Sequence, residues 1–236
     1  MDTNLGLSPV DRSLRKFLFL LVEDRISRGD GDEILAKWRN HKDVPALRSL
    51  GYIEGPNRLT DRAFSAFFQT FERIECPDEI QKCTTEYGIT GVQWRRAKGV
   101  FRQNIRRAHG HGVSYPTHKV VFIKDGADLP TWYHELGHII FQSIKHDRER
   151  IERLALSAKE LALSSNKIWD SPGIAEGSYI LIDGRYLGLD HSGSDAVEDE
   201  IWAVLFERYH CGTPPSNLLP IVREIIASVT PPKPIS

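Results

Sequence analysis

Residues 131–141 have the sequence TWYHELGHIIF. This stretch is largely apolar, and a long helix is predicted to begin near Pro130 and to contain it. On that helix His134 and His138 lie four residues apart, so their side chains project from one face, one turn apart. Two neutral imidazoles at that spacing can bind one Zn²⁺ ion.

Two further residues of the stretch fit such a site. Glu135 follows the first histidine, and a carboxylate there can take a proton from metal-bound water and pass it to a leaving amine. Gly137 costs a helix about 1 kcal/mol relative to Ala, which suggests that another group approaches the helix closely at that position. Upstream, residues 118–124 (HKVVFIK) predict a strand, and residues 125–128 predict the turn after it.

The pattern His134-Glu135-Leu136-Gly137-His138 resembles the motif of the zincin metallopeptidases. The resemblance implies that His134 and His138 bind zinc, that Glu135 is the general base, and that the protein is a hydrolase with Zn²⁺ as cofactor. It names neither the subfamily nor the substrate.

A mononuclear catalytic zinc needs a third protein ligand. The glycine and third histidine that follow the motif in metzincins are absent here. Residues 194–207 (SDAVEDEIWAVLFE) predict a second helix, and its EIWAVLF segment resembles the glutamate helix of the gluzincins, particularly the lethal-factor-like toxin peptidases. This favours Glu200 as the ligand. Glu198, Asp195 and His191 stay open as alternatives, and Glu207 could instead support a ligand.

A donor for the developing oxyanion is also expected. His191 is preferred, because it lies in a polar loop directly before the second helix, and Tyr186 and Tyr179 are the alternatives. The long interval between the motif and Glu200 predicts a helix over 147–163 and a hairpin over 179–189, which could form one wall of the cleft.

The N-terminal part predicts a small helical module. An aromatic stripe of Phe64, Phe67, Phe68 and Phe71 follows a helix start at Thr60, and a short strand is predicted over 52–54. Residues 47–54 and 58–62 resemble the last helix, wing and return helix of winged-helix domains. We therefore expect an α+β, mostly helical fold, with a winged-helix-like substrate or partner module at 1–75 and a zincin-type metallopeptidase domain at 76–236.

The charge of the chain is nearly balanced overall but unevenly distributed. Lys plus Arg is 31 and Asp plus Glu is 32, for a formal net charge of −1, which excludes a global electrostatic attraction to nucleic acid or membrane. Residues 87–124 contain no Asp or Glu, and a basic helix is predicted over about 92–107 with Arg95, Arg102 and Arg106 on one face. This stretch, 95–107, is the candidate contact for an acidic partner or nucleic acid.

The remaining composition indicates a cytoplasmic protein. The three cysteines lack a metal-binding spacing, and no apolar run approaches the roughly 18 residues of a membrane span. The N-terminal sequence has no features of a signal peptide, so we expect a cytoplasmic protein or one delivered into another cell by a leaderless route.

Two functions follow from these patterns. The first is a zinc-dependent endopeptidase that cleaves a specific protein substrate. The second is a nucleic-acid-associated regulator whose zincin domain binds metal as a sensor rather than cutting. The second would depend on Arg102, Arg106 and Arg107, and the first on Glu135.

Overall fold

The structure is a computed structural model that describes residues 12–28, 34, 36–97, 111–145, 147, 149–150, 152–153, 156, 195–212, 216 and 218–229. Side chains are described for these residues except 26–28, 195–198, 200 and 201. The chain divides into two compact units, the N-terminal unit Met1–Glu72 and the C-terminal unit Arg73–Ser236. The expected coarse class is confirmed: the fold is α+β, with helices dominating and small sheets.

Helices and one short hairpin make up the N-terminal unit. Its described elements are α1 (Arg12–Arg28), α2 (Val44–Ser49), β1 (Ile53–Glu54), β2 (Arg58–Leu59) and α3 (Asp61–Phe68), with a 3₁₀ turn at Ala36–Trp38. β1 and β2 pair antiparallel, and the turn between them uses Gly55 at a φ of 51°, a conformation that glycine adopts without steric cost.

The aromatic stripe of α3 belongs to the core of this unit, as predicted. Phe64, Phe67 and Phe68 are buried, whereas Phe71 lies beyond the end of the helix. Thr60 occupies the position before α3, but its hydroxyl donates to the carbonyl of Gly51 at 2.7 Å instead of capping the helix.

In the C-terminal unit, the described strands form one three-stranded sheet in the order β3-β5-β4. They are β3 (Gln93–Arg96), β4 (Gly112–Tyr115) and β5 (Val120–Ile123), with β3 parallel and β4 antiparallel to β5. The strand predicted over 118–124 is confirmed as the shorter β5, and all four of its residues are buried because it lies between the other two strands.

The described helices of this unit are α4 (Asp78–Glu86), α5 (Leu129–Ile144), α6 (Asp195–Cys211) and α7 (Leu219–Val229). Helix α4 begins after Pro77 and has Asp78 and Glu79 in its first turn, where acidic side chains favour a helix. The predicted helices at the motif and over 194–207 are confirmed as α5 and α6, which pack against each other along a large apolar contact. No helix in the described ranges is long and apolar enough to cross a membrane.

The prediction of a basic helix from about residue 92 was wrong at its start. Gln93–Arg96 is strand β3, which pairs with β5. The side chain of Trp94 is buried in the core, whereas the residues on either side of it are only partly buried, as the alternation of a strand requires. Arg95 donates to Gln93 at 2.7 Å, and Arg96 pairs with Asp125 at 3.0 Å. Burial, and then the nearby charge of Arg73, lower the pKa of Arg95. Arg102, Arg106 and Arg107 lie outside the described residues.

Candidate metal centre

Helix α5 carries the motif and has a well-formed start. The carboxylate of Asp128 accepts from the backbone N–H of Thr131 at 3.2 Å and from its hydroxyl at 2.6 Å. The hydrogen bond from the Thr131 hydroxyl holds the pKa of Asp128 below its usual value. With its start fixed there, the helix places the motif in its second and third turns.

The two histidines of the motif turn the same ring nitrogen toward each other. The Nε2 atoms of His134 and His138 lie 3.2 Å apart, and the rings meet at 81°. Two imidazole nitrogens that each bind a tetrahedral zinc at 2.0–2.1 Å are about 3.3 Å apart. The pair therefore has the separation that two ligands of one zinc ion require.

Two carboxylates of α6 approach the other nitrogen of each ring. Asp199 Oδ1 lies 2.7 Å from His138 Nδ1, and Glu207 Oε2 lies 3.4 Å from His134 Nδ1. We call these four residues the histidine–carboxylate cluster. A carboxylate is an acceptor, so it favours the tautomer with the proton on Nδ1 and the lone pair on Nε2, the form that binds metal. Two such lone pairs 3.2 Å apart can be bridged by a cation, or by a proton if one ring carries its hydrogen on Nε2. The residues present thus fit zinc.

The close approach expected at Gly137 is made by α6. A Cβ on Gly137 would lie 2.9 Å from the Cα of Ala203, too close for any real side chain. The indole N–H of Trp202 also donates to the Gly137 carbonyl at 3.1 Å. Glycine at this position therefore lets the two helices meet, which brings Asp199 and Glu207 within reach of the histidines.

Glu135 lies on the side of α5 that faces the sheet. Its residue is buried, with 6% exposure, and its Oε2 accepts a hydrogen bond from the hydroxyl of Ser114 on β4. The backbone of Gly112, two residues earlier on the same strand, also lies against this carboxylate. The proposed base is therefore held between helix and strand.

The predicted third ligand belongs to α6. Glu200 follows Asp199 directly and precedes Glu207 by seven residues, about two helical turns. Its side chain, like those of Asp195 and Glu198, is outside the described part of the structure, and His191, Tyr186 and Tyr179 lie outside the described residues altogether. Among the described side chains, no group of three or more His, Cys, Asp or Glu is placed to hold a metal ion.

The segment between the motif and α6 is predicted to form one wall of the cleft, and most of it also lies outside the described residues. The predicted hairpin over 179–189 lies there entirely, and of the predicted helix over 147–163 only a few positions are described.

A third histidine of the α5–α6 contact has quite different surroundings. His210 stacks on Tyr133 at 4.8 Å between ring centroids, lies against Phe206 and has its Nε2 3.2 Å from the Tyr87 hydroxyl. We call these four residues the aromatic cluster. Burial lowers the pKa of His210 to about 4 and raises that of Tyr87. Tyr133 is buried and has a packing role.

Sequence reasoning missed three residues that contact the motif. Asp199 was overlooked between the two glutamates that were considered as ligands, and Gly112 and Ser114 lie about twenty residues before Glu135 in the chain. A signal for Asp199 existed, because it precedes Glu207 by eight residues and so can share its helix face. No local pattern connects Ser114 with Glu135.

Comparison with known proteins adds no information about this site. The chain matches no protein-family model, no curated protein and no solved structure. The case for a function therefore rests on the residues described above.

Proposed function

We propose that the protein is a zinc-dependent endopeptidase that cleaves a specific protein substrate. One observation carries the proposal: the Nε2 atoms of His134 and His138 converge to 3.2 Å while a carboxylate approaches the Nδ1 atom of each ring. A pair of chance histidines on a helix surface would be solvated and would have no reason to share two buried or half-buried acids.

His134 and His138 would hold the ion, with Asp199 and Glu207 orienting their rings. When bound, zinc lowers the pKa of a coordinated water and polarises the scissile carbonyl. Glu200 is proposed as the third ligand. It lies on α6, the helix that provides both orienting carboxylates, and it directly follows Asp199 in the chain.

Glu135 is the proposed general base. It follows the first ligand on α5, and its burial excludes the bulk water that would otherwise compete for the proton. It accepts a proton from the attacking water and passes it to the leaving amine as the peptide bond breaks. His191 remains the proposed donor to the oxyanion, from the segment directly before α6.

The decisive experiment compares the wild type with Glu135→Gln. We expect both proteins to contain zinc, and only the wild type to generate new N-termini when incubated with a proteome and analysed by mass spectrometry of cleaved ends. Glu86→Gln is the matched control, because Glu86 is an exposed residue at the end of α4, and it should cleave like the wild type. Equal activity of Glu135→Gln and wild type would refute the proposal.

A further inference from the structure

The carboxylate of Glu135 is held by two alternate residues of β4. Gly112 and Ser114 are separated by two positions, so they occupy one face of the strand, and Ser114 is in register with Val121 of the buried strand β5. The Ser114 hydroxyl donates to Glu135 Oε2. We call Gly112 and Ser114 the carboxylate seat.

Gly112 is required for space. A Cβ at this position would lie 2.6 Å from Glu135 Cγ and 2.8 Å from its Oε1. The φ angle of Gly112 is outside the left-handed region, so backbone conformation does not demand glycine here. The seat thus combines a missing side chain, which admits the carboxylate, with a hydroxyl that fixes its orientation.

We propose that Ser114 is a positioning residue for the general base, and that Gly112 makes room for the orientation it fixes. The inference rests on the proposed peptidase function and deepens it. A glutamate side chain has three rotatable bonds, and an unanchored carboxylate samples several rotamers. A hydrogen bond donated to an ionised carboxylate is among the stronger side-chain contacts and selects one of them.

The chemical step shows why orientation matters. An O–H bond of the attacking water breaks and its proton moves to Glu135, while the water oxygen bonds to the carbonyl carbon. The C–N bond then breaks, and the same proton goes to the leaving nitrogen. Ser114 neither gives nor takes a proton in this sequence. Its effect is geometric, and a misplacement of about 1 Å costs on the order of 100-fold in rate.

The first test is kinetic and uses a peptide derived from a cleaved end that wild type generates and Glu135→Gln does not. Ser114→Ala should lower kcat about 10-fold with KM changed less than about twofold and zinc content unchanged. Ser114→Thr keeps the hydroxyl and should recover most of the loss. Ser143→Ala is the matched control, because the Ser143 hydroxyl donates within α5 to the Ile140 carbonyl, and it should behave as wild type.

The second variant, Gly112→Ala, fills the space that the carboxylate occupies. We expect kcat to fall about 100-fold with zinc retained, because the new Cβ displaces Glu135. Gly212→Ala is its control, since a Cβ there would meet only the Arg208 carbonyl at an ordinary 3.6 Å.

The third readout is independent of activity. In zinc-loaded protein labelled with ¹³C at the glutamate carboxyl, the Glu135 signal is assigned by its absence in Glu135→Gln. At one fixed pH, Ser114→Ala should move this signal, whereas Ser114→Thr and Ser143→Ala should leave it at the wild-type position.

The outcomes separate the inference from the function on which it rests. An active wild type whose kcat and Glu135 signal are both unaffected by Ser114→Ala overturns the inference and leaves the peptidase standing. A kcat loss that Ser114→Thr does not recover, with zinc content reduced, also overturns it, because the role is then structural. If the signal moves but the wild type cuts nothing, the peptidase proposal fails and Ser114 is left without a catalytic role.

Discussion

The contact between α5 and α6 contains two groups of residues built around histidine, and their surroundings are opposite. In the histidine–carboxylate cluster, each imidazole Nδ1 faces an acid of α6. In the aromatic cluster, His210 instead meets the rings of Tyr133 and Phe206 and the hydroxyl of Tyr87. The same pair of helices thus places two histidines beside acids and a third one among aromatic rings.

The difference shows how neighbouring groups determine what a buried imidazole does. An acid at Nδ1 orients the ring and increases the basicity of Nε2, which favours metal binding. An apolar environment disfavours the charged imidazole and lowers its pKa, which makes the ring a packing element. Four predictions test this contrast, either by altering one cluster or by altering the helix contact that both clusters share.

Removal of either motif histidine should have the largest effect. His134→Ala or His138→Ala removes a proposed zinc ligand, so zinc affinity should fall by more than about 100-fold and proteolysis should drop to background. His210→Phe is the contrasting variant and should keep its zinc. Metal analysis after dialysis and a cleavage assay provide the measurements, and zinc loss in His210→Phe would contradict the distinction between the two clusters.

Removal of the acid at His138 should weaken metal binding without abolishing it. Asp199→Asn should reduce zinc affinity by about 10- to 100-fold, because the ring loses the acceptor that orients it. Glu207→Gln should cost less, since its contact with His134 is 3.4 Å rather than 2.7 Å.

Competition with a chromophoric chelator measures both affinities. Asp125→Asn is the control, because Asp125 is an exposed partner of Arg96 away from the histidines. Wild-type affinity in Asp199→Asn would show that this carboxylate does not orient a ligand.

Forcing α5 and α6 apart should destabilise the protein and so disturb both clusters. Gly137→Ala places a Cβ 2.9 Å from Ala203 Cα and should destabilise the protein by about 1–3 kcal/mol, although alanine is the better helix former. Urea unfolding measures the change, with Gly212→Ala as the near-neutral control. If Gly137→Ala were as stable as wild type, the close approach of α6 would not depend on glycine.

The smallest effect should come from the titration of His210. Its pKa is lowered from 6.5 to about 4 by burial, with the charge of Glu86 partly opposing the shift, so between these values the unfolded chain binds a proton that the folded protein does not. Wild type should therefore lose stability relative to His210→Phe as the pH falls from 6.5 toward 4. After allowance for partial exposure of the ring, the difference is about 1 kcal/mol.

Urea unfolding of both proteins at pH 7 and pH 5 tests this sign. Ser143→Ala provides a control, because the Ser143 side chain does not titrate in this range, and it should change stability equally at both pH values. A larger loss of stability on acidification in His210→Phe than in wild type would contradict the assignment of a neutral ring.

Local sequence patterns predicted the structure correctly wherever that structure depends on residues close together in the chain. The four-residue spacing of His134 and His138 fixes a shared helix face, and the apolar run around Val120–Ile123 forms the buried strand that it predicts. For the basic segment, the local pattern predicted a helix where the structure has strand β3. Gln93–Arg96 pairs with β5, whose partner residues lie 27 positions further along the chain, so its conformation depends on a distant strand.

The sequence by itself determined the helix, the histidine pair and the neighbouring glutamate, because helical periodicity acts over four residues. Only the tertiary structure decided that Asp199 contacts His138. That choice depends on the rotation of α6 about its own axis, which Gly137, Ala203 and Trp202 set through close packing. It likewise decided that Ser114 contacts Glu135, because the position of β4 beside α5 depends on the pairing of β4 with β5.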